Sequence, residues 1–416
     1  MIPAVWGFSG AQRVDRERPA MSQRPAERGM AATDRHVLML QGPFSWFFTL
    51  LARELRARGA RVTRVLFCPG DALFWRGPGA VHFRGRLAEW PGFVAALAAR
   101  EGVSDLVCLG DGRELHRLAI AALPDVRVHV VEQGYLRPGW LTIDSGTGPA
   151  SRFPRDPEAL RALAGPPVTD PRFAASFAAF SAMDVAWNLA NLALGWLLYP
   201  HYRHHMLHGP LAEWAGWAGK ALRHPWRRAG RQRALARIAT HRGPVFLFAL
   251  QLETDFMIRR HGPPGGLAAA LARVGASFRA HAPRDALLVV KPHPLDNGLA
   301  PWRRRAEAEG ALFLDGGDLG ALMPRLAGVV TVNSTVGLAA IRAGVPVCPL
   351  GDAIWDIPGL TGRDLDRFWT APPRPDPALA DALVRALANT IQVPGGFDGE
   401  GALPGARNLA RRILDG

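Results

Sequence analysis

The feature that most constrains the fold is an alternation of short apolar runs with longer segments of helical periodicity. In the first third of the chain, short apolar runs lie at residues 36–40, 61–67, 104–109 and 126–131. Segments with apolar side chains at helical spacing lie between them, at about 45–58, 89–101 and 113–122. Strands that alternate with helices predict parallel βαβ units and a doubly wound sheet.

The same alternation returns in the second half of the chain. Strands are predicted at 245–250, 286–290, 311–314, 328–332 and 345–349. Helices are predicted between them, at about 264–281, 301–309, 318–326 and 335–343. Residues 173–222, which contain four tryptophans, are predicted to be helical. We therefore predict an α/β fold with two Rossmann-like halves joined by a helical middle segment.

A chain of 416 residues is too long for one ordinary core and suits two domains of moderate size. The predicted segments are a disordered N-terminal extension at 1–33, a Rossmann-like domain at 34–150, a helical linker at 151–240, a second Rossmann-like domain at 241–385 and a C-terminal helix at 386–416. Residues 1–33 lack the apolar run of a signal peptide. Cys68, Cys108 and Cys348 have no metal-type spacing, so we expect core cysteines in a reducing, cytoplasmic compartment.

The net charge of +14 is carried almost wholly by arginine, because Lys220 and Lys291 are the only lysines. Part of this excess is consistent with coding bias in a GC-rich genome. It also favours anionic ligands, and we expect a small anion and a membrane surface as partners. Nothing in the sequence resembles a module that reads nucleic acid, so no nucleic-acid partner is predicted.

The most apolar stretch, residues 186–200, is shorter than the roughly 20 residues that a membrane-spanning helix needs. Asn188 and Asn191 interrupt it, and a basic, histidine-rich segment follows at 201–208. We predict a buried core helix here. A helix at a membrane interface, with Trp and Tyr at the level of the headgroups, is the alternative interpretation.

Polar clusters follow the predicted strands, and ligands of open α/β sheets bind beyond the carboxyl ends of the strands. Lys291 and His293, held between Pro292 and Pro294, suit a phosphate, although the same four residues also suit a simple surface turn. Asn333, Ser334 and Thr335 can cap a helix, bind an anion at its N-terminus, or do both.

The end of the strand at 245–250 carries three acidic or amide side chains. Gln251 and Asp255 are neighbours whether the segment is extended or helical, and Glu253 shares their face only if it is extended. Acidic residues are also common at helix N-termini, where the helix dipole favours them. From these residues alone, a structural role and a catalytic role both stand.

Taken together, the strand-end motifs resemble those of the capsule polysaccharide biosynthesis and export family, specifically its β-Kdo glycosyltransferases. The motifs are Gln41-Gly42-Pro43, Cys68-Pro69-Gly70-Asp71, Glu132-Gln133-Gly134-Tyr135-Leu136-Arg137-Pro138, Gln251 to Asp255, Lys291-Pro292-His293-Pro294 and Asn333-Ser334-Thr335-Val336-Gly337. They occur in the expected order over residues 36–350. Where the family pattern has a Glu after Tyr135, Asp144 occupies the comparable place.

The resemblance implies a GT-B fold, with two Rossmann-like domains facing a cleft. It implies transfer of Kdo, with retained configuration, from CMP-β-Kdo to a phosphatidylglycerol or lyso-phosphatidylglycerol acceptor at the inner face of the cytoplasmic membrane. No metal and no cofactor are expected besides the donor substrate. A second Kdo transferase and a capsule export complex are possible partners.

The resemblance also implies roles for individual residues. Asp255 is the expected nucleophile, Glu132 the expected base, and Asp111 the reserve candidate. The expected donor-binding residues are Gln251, Lys291, His293, Asn333, Ser334 and Thr335. The expected acceptor-binding residues are Gln41, Gly42, Asp71, Gln133, Tyr135 and Arg137. Two alternatives remain open at this point: another CMP- or UDP-sugar enzyme on the same fold, and a non-catalytic assembly protein of capsule export.

Overall fold

A computed structural model describes residues 32–204 and 207–415. The predicted disordered extension lies almost wholly outside these residues, as do His205 and Met206 of the histidine-rich segment.

The first domain is built on a seven-stranded sheet. Its elements are β1 (His36–Met39), α1 (Phe47–Arg56), β2 (Arg61–Leu66), α2 (Pro69–Leu73), β3 (Ala80–His82), α3 (Trp90–Glu101), β4 (Asp105–Leu109), α4 (Glu114–Ala122), β5 (Arg127–Gln133) and β6 (Trp140–Asp144). The five strands β3-β2-β1-β4-β5 are neighbours in that order and pair in parallel. This order, 3-2-1-4-5, is that of a Rossmann fold.

Four helices form the middle of the chain: α5 (Pro157–Leu163), α6 (Phe177–Leu198), α7 (Pro210–Leu222) and α8 (His224–Thr240). The second domain follows with β7 (Val245–Ala249), α9 (Phe256–His261), α10 (Gly266–His281), β8 (Leu287–Lys291), α11 (Trp302–Ala308), β9 (Leu312–Phe313), α12 (Leu319–Leu322), β10 (Gly328–Thr331), α13 (Thr335–Arg342), β11 (Val347–Pro349), α14 (Leu365–Phe368) and α15 (Pro377–Thr390). Its sheet order, β9-β8-β7-β10-β11, repeats the Rossmann order with parallel pairing throughout. The predicted fold of two Rossmann-like halves with a helical middle is therefore confirmed.

The predicted C-terminal helix at 386–416 is shorter in the structure. Helix α15 ends at Thr390, and the chain then forms β12 (Gln392–Pro394) and α16 (Ala402–Asp415). Strand β12 pairs antiparallel with β6 of the first sheet, and α16 packs on α1. Arg35 also donates to the backbone carbonyl of Ile413. The last segment thus returns to the first domain, because its apolar face completes the core on one side of that sheet.

The predicted buried helix at 186–200 is wrong. In α6, Trp187 and Asn188 are buried against the first domain, where Asn191 accepts a hydrogen bond from the Gly70 amide. An added Cβ at Gly70 would lie 2.4 Å from the Trp187 ring, so that ring packs directly on the backbone of α2. Most other apolar residues of α6 are exposed: Val185, Leu189, Leu192, Leu194, Trp196, Leu197 and Leu198. By length and composition, α6 alone among the described helices could cross a membrane.

The core lies on both faces of each sheet. The three cysteines are free and buried, as predicted, and each packs among apolar side chains. In both domains the carboxyl ends of the strands point toward the space between the domains, and this geometry positions the candidate site.

Candidate functional site

A cavity of about 420 Å³ lies between the two sheets. The first domain lines it with residues from the ends of β4 and β5, and the second domain with residues from the ends of β7, β8 and β10. The domains meet at Gly112, where an added Cβ would lie 2.5 Å from Cβ of Phe256. Eleven of the predicted site residues line this cleft: Asp111, Glu132, Gln133, Tyr135, Arg137, Gln251, Asp255, His293, Asn333, Ser334 and Thr335.

Three carboxylates converge in the cleft. Asp111 accepts hydrogen bonds from the Thr147 hydroxyl and, at 3.0 Å, from the Thr147 amide. Glu132 lies over the turn after β4, because a Cβ at Gly110 would be only 2.8 Å from Glu132 Oε1. Burial, together with the negative charges of Asp111 and Asp255, raises the pKa of Glu132 to about 8. Glu132 is therefore mostly protonated at neutral pH, which fits a group that donates a proton.

Asp255 occupies the N-terminus of α9 and faces the cleft. Its carboxylate accepts the Met257 amide at 2.9 Å and also bonds to Gln251. Burial raises its pKa, although the Met257 amide and the charge of Arg137 partly offset the rise. Asp255 therefore caps helix α9 and also lines the cleft, so the two roles that the sequence left open are compatible.

Glu253, two residues earlier, faces away from the reaction cleft. Its carboxylate lies 3.7 Å from Arg305, and both side chains are at least one-third exposed. The loop after β7 is irregular, so Glu253 and Asp255 do not share one face as they would in an extended strand. Asp255 lines the cleft, and Glu253 does not.

The cleft also contains cationic and neutral donors that suit an anion. The Nε of Arg137 donates to the Gly134 carbonyl at 2.9 Å, and its charge acts on both Glu132 and Asp255. Burial, with the nearby charges of Arg137 and two lysines, lowers the pKa of His293 to about 4. His293 is therefore a neutral imidazole at pH 7, able to donate one hydrogen bond without adding charge.

Gln251 and Asn333 hold the ends of β7 and β10 together. Gln251 Nε2 donates to Asn333 Oδ1 at 2.8 Å, and the Asn333 amide donates back to Gln251 Oε1 at 3.1 Å. Ser334 caps α13 by accepting the Val336 amide at 3.2 Å. The N-terminus of this helix opens on the cleft, so the capping role and an anion-binding role are compatible.

Four predicted site residues do not line the cleft: Gln41, Gly42, Asp71 and Lys291. Gln41 and Asp71 are buried in one network, in which Gln41 Nε2 donates to Asp71 Oδ1 at 3.1 Å and to the Tyr202 hydroxyl at 3.1 Å. Arg113 donates to Gln41 Oε1 at 2.9 Å. These contacts leave Gln41 and Asp71 no access to an acceptor.

Gly42 and Lys291 have other surroundings. A Cβ at Gly42 would lie 2.6 Å from the Phe48 ring, so packing accounts for this glycine. Lys291 is buried at the end of β8, and burial lowers its pKa although Asp315 and Asp318 partly offset this. Lys291 therefore influences the cleft through its charge on His293 rather than by lining it.

Several cleft residues were missed by sequence reasoning. Arg113 follows the predicted Gly110-Asp111-Gly112 turn directly, so its position was a usable signal. Phe180, Phe397 and Asp398 come from α6 and from the returning C-terminal segment, whose placement no local pattern indicates. Asp144 lies outside the lining and holds its own loop, since it accepts the Ser145 amide at 2.6 Å and the Ser151 hydroxyl at 2.5 Å.

No group of three or more His, Cys, Asp or Glu residues that could hold a metal ion occurs in the described part of the chain. The expectation of a metal-free reaction stays a prediction.

Comparison with known proteins gives the family. Residues 104–397 match the family described as "Capsule polysaccharide biosynthesis protein". The chain belongs to this capsule polysaccharide biosynthesis family. It is 30% identical over 391 residues to "Capsule polysaccharide modification protein LipB" of Neisseria meningitidis serogroup A, covering 87% of this chain and 91% of LipB. It is 29% identical over 358 residues to "Capsule polysaccharide export protein KpsS" of Escherichia coli, covering 82% of this chain and 91% of KpsS.

Two solved structures are also similar to this chain over most of its length. The Thermosulfurimonas dismutans KpsC beta Kdo 2,7 transferase matches with a TM-score of 0.43 and 14% identity, over 90% of this chain and 99% of that one. The beta Kdo 2,4 transferase of the same protein matches with a TM-score of 0.42 and 14% identity, over 91% and 97%. Values this low describe a distant likeness only.

Proposed function

We propose that this protein is a retaining β-Kdo transferase that moves Kdo from CMP-β-Kdo to a phosphatidylglycerol or lyso-phosphatidylglycerol acceptor in capsule biosynthesis. The observation that carries the proposal is the convergence of Asp255, Glu132 and Arg137, from two Rossmann-like domains, in one cleft. Membership of the capsule family supports the pathway.

Asp255 is the proposed nucleophile. Its carboxylate oxygen attacks the anomeric carbon of Kdo, and the bond from that carbon to the phosphate oxygen of CMP breaks, so that CMP leaves with the electron pair. His293, Arg113 and the N-terminus of α13 line the cleft where the departing phosphate would lie. Arg137, beside Asp255, suits the carboxylate of Kdo itself.

Glu132 is the proposed acid and base. In the first step its protonated carboxyl donates to the leaving phosphate oxygen. In the second step the resulting carboxylate takes the proton from the acceptor hydroxyl, whose oxygen attacks the anomeric carbon and displaces Asp255. Two displacements restore the original configuration.

The same cleft charges explain how Glu132 could change roles. The negative charge of Asp255 is one cause of the raised pKa of Glu132. An ester on Asp255 carries no charge, so this contribution disappears in the covalent intermediate and the pKa of Glu132 falls. Glu132 therefore stays ionised after it has donated its proton, and it is a carboxylate at the stage when a base is needed.

We also propose that α6 places the protein on the inner face of the cytoplasmic membrane. Trp196, which is 72% exposed, and the neighbouring exposed leucines form an apolar surface. Helix α8 adds Arg228, Arg231, Arg233 and Arg237, and Arg223 lies just before the helix; these five arginines favour anionic headgroups. Arg227 of the same helix is paired with Asp315.

The test is a transfer assay. Purified protein is incubated with CMP-Kdo generated in situ and a fluorescent monoacyl phosphatidylglycerol, and the product is followed by chromatography and mass spectrometry. We expect product from the wild type and a rate roughly 10⁴-fold lower for Asp255→Asn, which keeps the helix cap but not the nucleophile. Asp364→Asn is the matched control, because Asp364 caps α14 in the same way outside the cleft.

Three outcomes would contradict the proposal in different ways. No Kdo-dependent product from the wild type would favour a non-catalytic role, as the name of the export relative suggests. Transfer of a different sugar would favour another nucleotide-sugar enzyme. Full activity of Asp255→Asn would remove the nucleophile assignment and leave the reaction itself standing.

A further inference from the structure

A second cavity lies beside the reaction cleft, between α6, α7 and two loops of the second domain. Its volume is about 580 Å³, which is within the range of sites that hold one small ligand, roughly 300–1,000 Å³. Aromatic side chains dominate its wall, with Phe177 and Phe180 from α6 and Trp214 and Trp217 from α7. We refer to it as the α6–α7 cavity.

The α6–α7 cavity and the reaction cleft share a wall. Phe44 and Phe180 line both spaces. In the loop after β7, Gln251 and Asp255 line the cleft, whereas the residues between them, 252–254, line the α6–α7 cavity. The loop after β7, with Phe44 and Phe180, therefore forms the wall between the second cavity and the side of the cleft where the proposed nucleophile lies.

The charges of the two spaces differ. The lining of the α6–α7 cavity includes Asp184 and Glu213, and among the described residues that line it none is Lys or Arg. Burial, followed by the charge of Glu213, raises the pKa of Asp184. The cleft therefore offers an anion two guanidinium groups, those of Arg113 and Arg137, whereas the α6–α7 cavity offers it no Lys or Arg side chain among its described lining residues.

Four of the polar side chains that line the α6–α7 cavity are paired with each other. Asn297 donates to Glu213 Oε2 at 2.8 Å, and Asn188 donates to Asp184 Oδ1 at 3.2 Å. Most of the remaining lining is hydrocarbon from aromatic and aliphatic side chains. A molecule with an anionic end and an apolar end would thus place the first in the cleft and the second in the cavity.

The cavity also opens toward the surface that we assign to the membrane. Phe177, at the start of α6, lines the cavity and is 60% exposed. Further along the same helix lie the exposed leucines and Trp196. The same helix thus carries both a wall of the cavity and the exposed apolar residues that we assign to the membrane.

We propose that the α6–α7 cavity binds one hydrocarbon chain of the acceptor lipid and so sets the acceptor's hydroxyl against Asp255. This inference rests on the proposed function. It adds that the protein binds the hydrocarbon chain of the acceptor as well as its headgroup, so the length of the chain affects the rate of transfer.

The experiment uses monoacyl phosphatidylglycerols of increasing chain length below their micelle concentrations, with glycerophosphoglycerol as the chain-free reference. For the wild type we expect kcat/KM to rise roughly three- to four-fold per added methylene until the cavity is full, as burial of a methylene implies. Ser181→Trp fills the cavity, because Ser181 lines it. Its chain-length dependence is expected to flatten, while its activity on the chain-free reference stays at the wild-type value.

Ala182→Trp is the matched control, since Ala182 is the next residue of α6, is exposed and does not line the cavity. It should keep the wild-type dependence on chain length. Val185→Trp fills the same cavity from a partly exposed position and serves as a second variant if Ser181→Trp does not fold. A wild-type rate that ignores chain length, or equal slopes in the filled and control variants, would overturn the inference.

A binding measurement separates this inference from the proposed function. A monoacyl phosphatidylglycerol with a brominated chain should quench the tryptophan fluorescence of the wild type and of Ala182→Phe, but quench that of Val185→Phe less, and phenylalanine adds no tryptophan of its own. Quenching without any transfer would contradict the proposed reaction and support the cavity. Transfer with no difference in quenching between Ala182→Phe and Val185→Phe would do the reverse.

Discussion

Two carboxylates on neighbouring strands of the first sheet have opposite properties. Asp105 begins β4 and Glu132 lies near the end of β5, so the two residues stand at opposite edges of the same sheet. The pKa of Asp105 is lowered to about 2, whereas that of Glu132 is raised to about 8. Both carboxyl groups lie on strands of the same sheet, so the difference between their pKa values arises from the side chains that surround each of them.

At the first edge, donors surround the carboxylate. Burial alone would raise the pKa of Asp105, but hydrogen bonds from His129 at 2.8 Å, Arg35 at 2.7 Å and Ser104 at 2.7 Å outweigh it. At the other edge, Glu132 has two carboxylates as neighbours, and Arg137 and Arg113 offset them only in part. A buried carboxylate that accepts several short hydrogen bonds has a structural role. A buried carboxyl group with a raised pKa that opens on a cleft is a candidate catalytic group.

Of the two compared carboxylates, Glu132 is expected to show the larger effect. Glu132→Gln keeps the shape of the side chain and removes its proton transfer, so we expect kcat/KM to fall by roughly 10²- to 10⁴-fold. Unfolding in urea at pH 7 should show little change in stability, because the neutral Gln side chain replaces a carboxyl group that is mostly protonated at that pH.

The pH dependence of the wild type checks the same residue. A proton donor with a pKa near 8 should give a kcat/KM that declines as pH rises through that value. This decline should be absent from the residual activity of Glu132→Gln. A decline that persists unchanged in the variant would assign it to another group.

The second effect is expected at the opposite edge. Asp105→Asn leaves Arg35 buried without its charge partner, and we expect the free energy of unfolding to fall by about 3 kcal/mol. The activity of the protein that remains folded should match the wild type, because Asp105 lies far from the cleft lining. A loss of turnover at full folding would break the distinction between the two edges.

The positions of the predicted site residues in the structure show which parts of the site the sequence could predict. The strand-end rule identified Glu132 and Asp255, because both follow apolar runs whose direction in a parallel sheet is known. The same rule selected Gln41 and Asp71, which the structure places in a buried network outside the cleft. Residues far along the chain, Trp187 of α6 and Tyr202, cover those strand ends and turn them into a buried network.

The fold was predictable to a similar extent and failed for similar reasons. The two Rossmann halves have strong periodicity. Strand β12 has only three residues and pairs with β6, about 250 positions earlier, so no local pattern marks it. Helix α6 is apolar on most of its surface, and an apolar sequence alone does not distinguish a buried helix from one exposed to a membrane or a ligand.

A smaller effect should appear when the stability of wild type and Asp105→Asn is compared across pH. The folded-state pKa of Asp105 lies below its unfolded value, so its contribution is complete above about pH 4 and is lost as pH falls through about 2. The contribution is about 2 kcal/mol. Urea unfolding at several pH values should therefore show the gap between the two proteins narrowing over this window.

The smallest effect is expected for Arg127→Gln. Arg127 lies 3.6 Å from Asp105 Oδ1, but its side chain is 34% exposed, so water screens this pair. We expect a loss of less than about 1 kcal/mol in the free energy of unfolding, well below that of Asp105→Asn. If the two variants were equally destabilised, the low pKa of Asp105 would arise from the general positive charge of the region rather than from the short hydrogen bonds of Arg35 and His129. The contrast with Glu132 would then be one of regional charge, and adding an arginine near the cleft would suffice to convert one edge into the other.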